Sequence, residues 1–316
     1  MNEMSSTAKR ERIDFASNGD PCAAWHYPSQ NGSCVVMASG LAVTRGPGTD
    51  AYAAAFGGSG FGVLAFDFRR FGDSGGSPRQ VARIDDMRYD LLAAIECARS
   101  LPGVYHDQIA LWGFSLAGGL VIEAAARDHA LAAVIAQSPL VDGRAAARHT
   151  MRHQSIGAAT RLTMRAFADA VGAAAGRPPR LTPVSGARGS VALLTTLDAL
   201  DADRALDPHR VYPEWRQQVA ARIVLSMPTL RLGRSAPAVR CPLLVVASSD
   251  DQSVPIKATR GTVQRSPTAE LVEVPGGHYA PFLDRFDECV AIEIAFLRQH
   301  ALTIPPERPA DLEARA

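Results

Sequence analysis

The chain has 316 residues, of which 47% are hydrophobic, and a formal net charge of +1. This length fits one large domain or a core domain with an insertion, and the apolar fraction is ordinary for a globular protein. The near-neutral charge gives no general case for a nucleic-acid partner. No run of 18 apolar residues occurs, so no membrane span is predicted. The segment "MNEMSSTAKRERIDF" lacks a signal peptide's apolar core, and we expect a cytoplasmic protein.

The first part of the chain alternates short apolar runs with helical patterns. A hairpin is predicted around the turn residues "SNGDP". Four buried strands follow, at residues 33–38, 62–68, 108–113 and 131–139. Helical patterns separate them, at 51–58, at 81–101 and from Ser115 onward. Continuous apolar strands between helices predict an α/β fold whose mostly parallel, doubly wound sheet is covered on both faces.

The alternation stops after Asp142 and resumes near residue 237 with strand, helix, strand and helix. Residues 143–236 are mostly helical in pattern, so we expect a helical cap inserted into a core formed by residues 1–142 and 237–316. Between Arg144 and Arg240 there are 15 arginines, no lysines and 6 carboxylates. This charge indicates either an anionic or carrier-bound substrate or, as we favour, solvated helix faces in an arginine-rich sequence. The tail "TIPPERPADLEARA" is predicted to be loose.

A candidate nucleophile, Ser115, lies in "GFSLAG", where a predicted strand gives way to a predicted helix. A sharp strand–turn–helix connection exposes the central hydroxyl above the sheet. The helix amino terminus also favours developing negative charge. Strand and helix backbones come close at such a turn, and the small neighbours that this requires are Gly113, Ala117, Gly118 and Gly119. A serine that only caps an ordinary turn is the alternative that this pattern leaves open.

A serine hydroxyl needs a base, and one of the eight histidines is suitably placed for that role. His278 follows a predicted strand in "VEVPGGHYAPF", so it belongs to the sheet edge where parallel strands end and carry their sites. The other seven lie in the hairpin, before strands, in the insertion or at the end of the last helix. The sequence therefore predicts that His278 lies on the same face as Ser115.

The base needs an orienting carboxylate in turn. The segment "SSDDQSVP" supplies Asp250 and Asp251 just past another strand, at the same edge of the sheet. Asp142, after the strand that ends in "AQSP", is a third candidate. These positions alone leave all three carboxylates open.

The segments "GFSLAG", "DDQSVP" and "GGHYAPF" resemble the α/β-hydrolase superfamily, whose triad runs serine, acid, histidine along the chain. The resemblance covers roughly residues 10–142 and 238–300 and is greatest to esterases and peptidase-like hydrolases with a helical cap. It implies that Asp251, at the D-x-x-V-P position, is the acid. It also implies that Asp67 and Arg69 in "FDFRRFGDSGG" support the site without being catalytic.

The segment "ASGLAVTRG" departs from the family's pattern, which usually has His-Gly at this strand end. Here Ser39 replaces the histidine. By position, the backbone N–H groups of Leu41 and Leu116 would form the oxyanion hole. Because both donors are backbone groups, Ser39 need not abolish the hole, but it would alter the loop shape or add a hydroxyl near the substrate.

The resemblance implies that Ser115 attacks a carbonyl, that His278 takes its proton and that water or another acceptor releases the acyl group. We therefore predict a serine hydrolase acting on an ester, thioester or small amide. Hydrolysis of a carbon–carbon bond, acyl transfer with the same triad and a non-catalytic binding role are the alternatives. The expected partner is a small acyl substrate, with neither nucleic acid nor membrane, and a homo-oligomer is left open.

No metal or cofactor site is predicted. The five cysteines form no C-x-x-C pair, and no complete nucleotide-binding glycine motif occurs. Six large apolar residues of the insertion could line a pocket under the cap, although we expect them to pack as its core. They are Met151, Met164, Phe167, Tyr212, Trp215 and Met227.

Overall fold

The computed structural model describes residues 10–301. Two sequence predictions lie outside the described residues. One concerns the amino-terminal segment expected not to be a signal peptide, of which only the last residues are described, and the other concerns the tail expected to be loose. The strands are β1 Glu11–Ser17, β2 Asp20–Tyr27, β3 Cys34–Ala38, β4 Gly62–Phe66, β5 Ile109–Phe114, β6 Ala133–Gln137, β7 Leu181–Pro183, β8 Gln218–Ala220, β9 Leu243–Ser248 and β10 Ala269–Val274.

The helices are α1 Thr49–Gly58, α2 Ile84–Ser100, α3 Leu116–Ala125, α4 Gly143–His153, α5 Ile156–Ala174, α6 Ala202–Leu206, α7 Ile223–Ser226, α8 Ile256–Val263 and α9 Phe286–His300. Short 3-10 helices span Asp198–Asp201, Met227–Thr229, Leu232–Ala238 and Ala280–Phe282. No helix among residues 10–301 is both long and apolar enough to cross a bilayer.

Eight strands form the main sheet, in the order β1-β2-β4-β3-β5-β6-β9-β10. The six strands from β4 to β10 in this order are parallel to their neighbours, and β2 is antiparallel to both β1 and β4. Every residue of β3, β4, β5, β6 and β9 is buried. The predicted mostly parallel sheet is thus confirmed, and its continuous apolar strands reflect cover on both faces.

Two apolar layers cover the sheet. Helices α2 and α3 pack on one face, with Leu91 and Leu120 in its core. Helices α1 and α9 pack on the other, where Phe56 and Leu297 are buried. With strands fixed in this order, the carboxyl ends of β3, β5, β9 and β10 meet at one edge of the sheet, and the loops after them hold the candidate residues.

The predicted hairpin forms around a shorter turn than the sequence suggested. Only Asn18 and Gly19 lie outside the strands, with φ of 45° and 88°. Ser17 pairs with Asp20, so both belong to the ladder. Two successive positive φ angles match the two-residue turn that right-twisted strands favour.

The segment between β6 and β9 is less helical than predicted. Helices α4 and α5 fill its first part, but after α5 the chain forms the antiparallel pair β7–β8, with only short helices around it. The change begins at "GRPPRLTPVSG", whose prolines lack the N–H that a helix interior needs. The prediction of a mostly helical segment from its arginine- and alanine-rich composition therefore missed the small sheet.

Candidate active site

Ser115 occupies a sharp turn between β5 and α3. Its backbone has φ 56° and ψ −115°, a conformation that L-residues rarely adopt. Two bonds from the neighbouring strand region hold it there, because its N–H donates to the carbonyl of Gln137 (2.9 Å) and its carbonyl accepts from the N–H of Leu140 (2.8 Å). The turn therefore fixes the serine side chain at the carboxyl edge of the sheet.

The small residues around the turn are required by close backbone approach. A Cβ at Gly113 would lie 2.6 Å from the carbonyl oxygen of Ala117. At Gly118 it would lie 3.0 Å from the carbonyl oxygen of Gly113, and at Gly119 it would collide with the carbonyl of Leu140. The sequence interpretation of "GFSLAG" as a tight strand-to-helix turn agrees with these distances.

The structure brings Ser115, His278 and Asp251 together. His278 Nε2 lies 3.1 Å from Ser115 Oγ, and its Nδ1 lies 2.7 Å from Asp251 Oδ2. A carboxylate at Nδ1 favours the tautomer that carries its hydrogen there, so Nε2 is left to accept from the serine hydroxyl. The imidazole is almost fully buried, with 1% of the residue exposed, and its ring lies 5.0 Å from the Phe114 ring.

The other two candidate carboxylates do not contact His278. Asp142 caps helix α4, where its Oδ1 accepts from the N–H groups of Arg144 and Ala145. Asp250 is exposed and accepts from the N–H of Gly276 at 3.3 Å. Asp251, by contrast, uses Oδ1 for the N–H groups of Ser253 and Val254 and leaves Oδ2 for the imidazole.

The charge of the histidine is set by opposing effects. Burial lowers the pKa of His278, but the charge and hydrogen bond of Asp251 raise it, and the charge of Asp198 raises it further. The net direction is upward from 6.5. This direction suits a general base, because the neighbouring carboxylates stabilise the charged imidazole that forms when His278 accepts a proton.

The loop after β3 lies beside the serine. A Cβ at Gly40 would be 3.5 Å from Ser115 Cβ and 3.0 Å from the Phe114 ring, so a larger residue here would press on that ring. Leu41 and Leu116 both line the cavity next to Ser115. Among the described residues, no protein acceptor takes a hydrogen bond from either of their N–H groups. Both amides therefore remain free to donate to a ligand.

Ser39 is turned away from the cavity. Its Oγ lies 2.7 Å from Thr49 Oγ1 and donates to the carbonyl of Thr44 at 3.1 Å. It closes the loop on itself and is not among the cavity-lining residues. Ser39 therefore shapes the loop, and its hydroxyl does not face the cavity, which was the other expectation.

Asp67 and Arg69 are buried in hydrogen-bond and ion-pair networks outside the cavity. Asp67 Oδ1 accepts from the N–H of Arg45 at 2.7 Å, and its Oδ2 contacts the Arg45 guanidinium. Arg69 is buried against Asp90, whose Oδ2 accepts from the Arg69 N–H at 2.9 Å. Neither residue lines the cavity at Ser115. Asp67 therefore anchors the loop that carries Leu41.

An apolar cavity of about 440 Å³ opens at Ser115. Its walls come from α4, α5 and the later part of the insertion as well as from the core, and include Ala147, Leu162, Leu194 and Val224. Apart from His278, no titratable side chain other than Tyr279 is among the lining residues that the structure describes, and none of the 15 arginines between Arg144 and Arg240 is. The cavity thus suits a neutral, apolar group.

The expectation that the six large apolar residues of the insertion form a cap core is wrong for three of them. Met151, Met164 and Phe167 are 58–66% exposed. The cavity is lined by Met151, Phe167 and Met227. Tyr212 and Trp215 instead fasten the insertion to the core. Met164 and Phe167 are exposed because the buried stripe of α5 consists largely of small residues such as Ala158 and Ala166.

Two residues that the sequence analysis did not single out as site residues reach the site from the insertion. Asp198 accepts from the backbone N–H of His278 at 3.0 Å. Trp215, considered only as an apolar residue, donates from Nε1 to the carbonyl of Ala42 at 2.9 Å, next to Leu41. No motif surrounds either residue, so only their position in space identifies them. Within residues 10–301, no cluster of three His, Cys, Asp or Glu side chains could hold a metal ion.

Several known proteins are similar to this chain. The quorum-quenching protein AidA of Acinetobacter baumannii is 34% identical over 292 residues, which cover 91% of this chain and 94% of that protein. The polyketide transferase grgF of Penicillium sp is 32% identical over 139 residues, or 43% of this chain and 47% of that protein.

The solved structure of the α/β hydrolase GrgF from Penicillium sp. sh18 has the same fold. It superimposes with a TM-score of 0.78 at 22% identity, covering 93% of this chain and 99% of that chain. The family model described as serine aminopeptidase, S33, matches residues 29–284. The chain therefore belongs to the serine aminopeptidase S33 family of α/β hydrolases.

Proposed function

We propose that the protein is a serine hydrolase that cleaves an ester, thioester or small amide through a covalent acyl-enzyme. The observation that carries this proposal is the continuous contact from Ser115 Oγ to His278 Nε2 and from His278 Nδ1 to Asp251, at 3.1 and 2.7 Å. A binding protein would have no need to align these three groups at a cavity.

In the proposed reaction, His278 Nε2 takes the proton of Ser115 Oγ as the oxygen attacks the carbonyl carbon. The N–H groups of Leu41 and Leu116 donate to the oxyanion, and loss of one such donor costs ~3 kcal/mol of transition-state stabilisation. His278 then protonates the leaving group. Water then attacks the acyl carbon while the same histidine takes a proton from that water. The histidine passes this proton to Ser115 Oγ as the bond to the acyl group breaks, which releases the acid and restores the serine.

The cavity supports an apolar acyl group as the part of the substrate next to the serine. Its lining holds no arginine, lysine or carboxylate among the described residues, and an unpaired charge would be costly to bury there. The arginines of the insertion therefore have no role in binding the acyl group in this proposal. The similarity to AidA, a quorum-quenching protein, supports including quorum-sensing signal molecules among the substrates tested.

Acyl transfer is the second candidate, and the similarity to the polyketide transferase grgF favours it. It uses the same acyl-enzyme and differs only in the acceptor. Added alcohols or thiols that lower the yield of free acid without slowing release of the first product would support transfer. Unchanged acid yield at all acceptor concentrations would favour hydrolysis.

The test uses p-nitrophenyl esters of increasing chain length together with labelling by a fluorophosphonate. We expect the wild type to be labelled and active, Ser115→Ala to lose both, and Asp251→Asn to lose on the order of 10⁴-fold in kcat through the wrong tautomer. Ser249→Ala is the matched control, because Ser249 follows β9 at the same sheet edge but does not line the cavity. A folded wild type that is neither labelled nor active would refute the proposal.

A further inference from the structure

Asp198 is a buried carboxylate of the insertion that bonds to both loops of the histidine–acid pair. It begins the 3-10 helix Asp198–Asp201 and is only 8% exposed. Its Oδ2 accepts from the N–H of His278 at 3.0 Å and from the N–H of Gln252 at 2.8 Å. Its Oδ1 accepts from the hydroxyl of Ser253 at 3.4 Å.

The chain around Asp198 is built for this contact. A Cβ at Gly277 would lie 2.6 Å from Asp198 Cβ, so glycine before the histidine is what allows the carboxylate to come so close. The contact is reinforced from both sides. Gln252 Oε1 accepts from the N–H of Leu197 at 3.3 Å, and Thr196 Oγ1 lies 3.3 Å from Ser253 Oγ.

The two loops that Asp198 joins come from different strands. Asp251 follows β9 and His278 follows β10, so the 2.7 Å contact between them depends on how the loops are held relative to each other. Asp198 bonds to the residue after Asp251 and to His278 itself. A displacement of about 1 Å at reacting groups can cost ~10²-fold in rate.

We propose that Asp198 is a positioning residue that holds the Asp251–His278 pair in register and stabilises the charged imidazole, so that the insertion completes the catalytic site. This inference rests on the proposed function. Asp198 contacts no reacting atom in this proposal, because it acts through the backbone of His278 and through its own negative charge.

The charged and titratable groups near His278 come from four parts of the chain. Asp251 lies in the loop after β9, Asp198 in the insertion, Tyr279 beside the histidine, and His149 on α4 within the field of both carboxylates. Burial lowers the pKa of His278, and the two carboxylates raise it. Removing the charge of Asp198 should therefore lower the pKa of His278. Activity that needs the neutral imidazole would then persist to lower pH.

Two substitutions separate the charge from the hydrogen bonds. In Asp198→Asn the amide oxygen can still accept both N–H bonds and the NH₂ group can donate to Ser253 Oγ, so only the charge is lost. We expect the acid limb of kcat/KM to move to lower pH. In Asp198→Ala the bonds are lost as well, and we expect kcat to fall by ~10²-fold with KM changed little, because the cavity lining is intact.

Asp201→Asn is the matched control. Asp201 lies in the same 3-10 helix, but its side chain is 43% exposed and pairs with Arg204. We expect its pH profile and kcat to equal those of the wild type. Wild-type profiles and rates in both Asp198 variants would overturn the inference, and should Asp198→Ala fail to fold, Asp198→Asn carries the test.

A second readout does not depend on turnover. The imidazole of His278 is titrated by NMR in histidine-labelled wild type and Asp198→Asn, with His278→Ala used for assignment. A lower pKa in Asp198→Asn supports the inference even if no ester is cleaved, in which case the proposed function alone fails. An unchanged pKa together with an unchanged rate refutes the role of Asp198 while leaving the proposed function in place.

Discussion

Backbone strain at Ser115 should be measurable as folding free energy. With φ 56° and ψ −115°, this residue adopts a conformation that costs an L-residue ~1–3 kcal/mol. Glycine removes that cost but loses ~0.5–1 kcal/mol through the greater freedom of the unfolded chain. Ser115→Ala and Ser115→Gly both lack the hydroxyl and its contact with His278, so their difference isolates the backbone. We expect Ser115→Gly to be the more stable by about 1 kcal/mol.

The assay is equilibrium unfolding in urea, followed by tryptophan fluorescence and circular dichroism. Ala93→Gly supplies the control, because Ala93 lies within helix α2, where the same change should destabilise the protein by ~1 kcal/mol. The two alanine-to-glycine comparisons should therefore have opposite signs. A Ser115→Gly protein that is no more stable than Ser115→Ala would mean that the turn stores no strain.

Three further predictions test other parts of the molecule. Trp215→Phe removes the donor to the Ala42 carbonyl, worth ~1 kcal/mol, and should lower kcat up to about tenfold in ester assays by loosening the loop that carries Leu41. Burial raises the pKa of Glu293 well above 4.5, so folding favours the protonated form of this carboxyl. The raised pKa of Glu293 contributes fully to the free energy of unfolding below pH 4.5, and this contribution is lost as the pH rises toward the folded-state pKa. In urea unfolding, the wild type should therefore lose up to ~1.4 kcal/mol of stability per pH unit relative to Glu293→Gln. Ala147→Phe fills part of the cavity and should shift the preferred p-nitrophenyl ester to a shorter acyl chain.

Each of these has a control close by. Tyr212→Phe removes a hydroxyl bond to Asp50 on the same segment as Trp215 and should leave kcat unchanged. A pH-independent difference between wild type and Glu293→Gln would show that Glu293 is ionised when folded. Ala145→Phe alters α4 outside the cavity lining, and an equal shift in chain-length preference there would contradict the assignment of the cavity.

The parts of the fold that local pattern encodes were predictable. Continuous apolar strands such as β5 and β6, separated by helices, indicate a parallel sheet covered on both faces. The family resemblance and the small residues around Ser115 identified its turn, since only such residues let strand and helix backbones approach. The insertion was harder, because its composition is helical throughout while β7 and β8 are short and pair across 34 residues or more.

Local sequence was enough to predict the class of the sheet, the turn that carries Ser115 and the loop that carries His278, because each depends on residues adjacent along the chain. The family resemblance implied Asp251 as the acid, but only the packed structure distinguishes it from Asp142 and Asp250 by contact with the imidazole. The packing also fixes where the Ser39 hydroxyl turns and what completes the site. Asp198 lies 80 residues before His278, and Trp215 lies 173 residues after Ala42. Such contacts leave no periodicity or motif, since they arise from how the insertion packs on the core, and local sequence does not encode that packing.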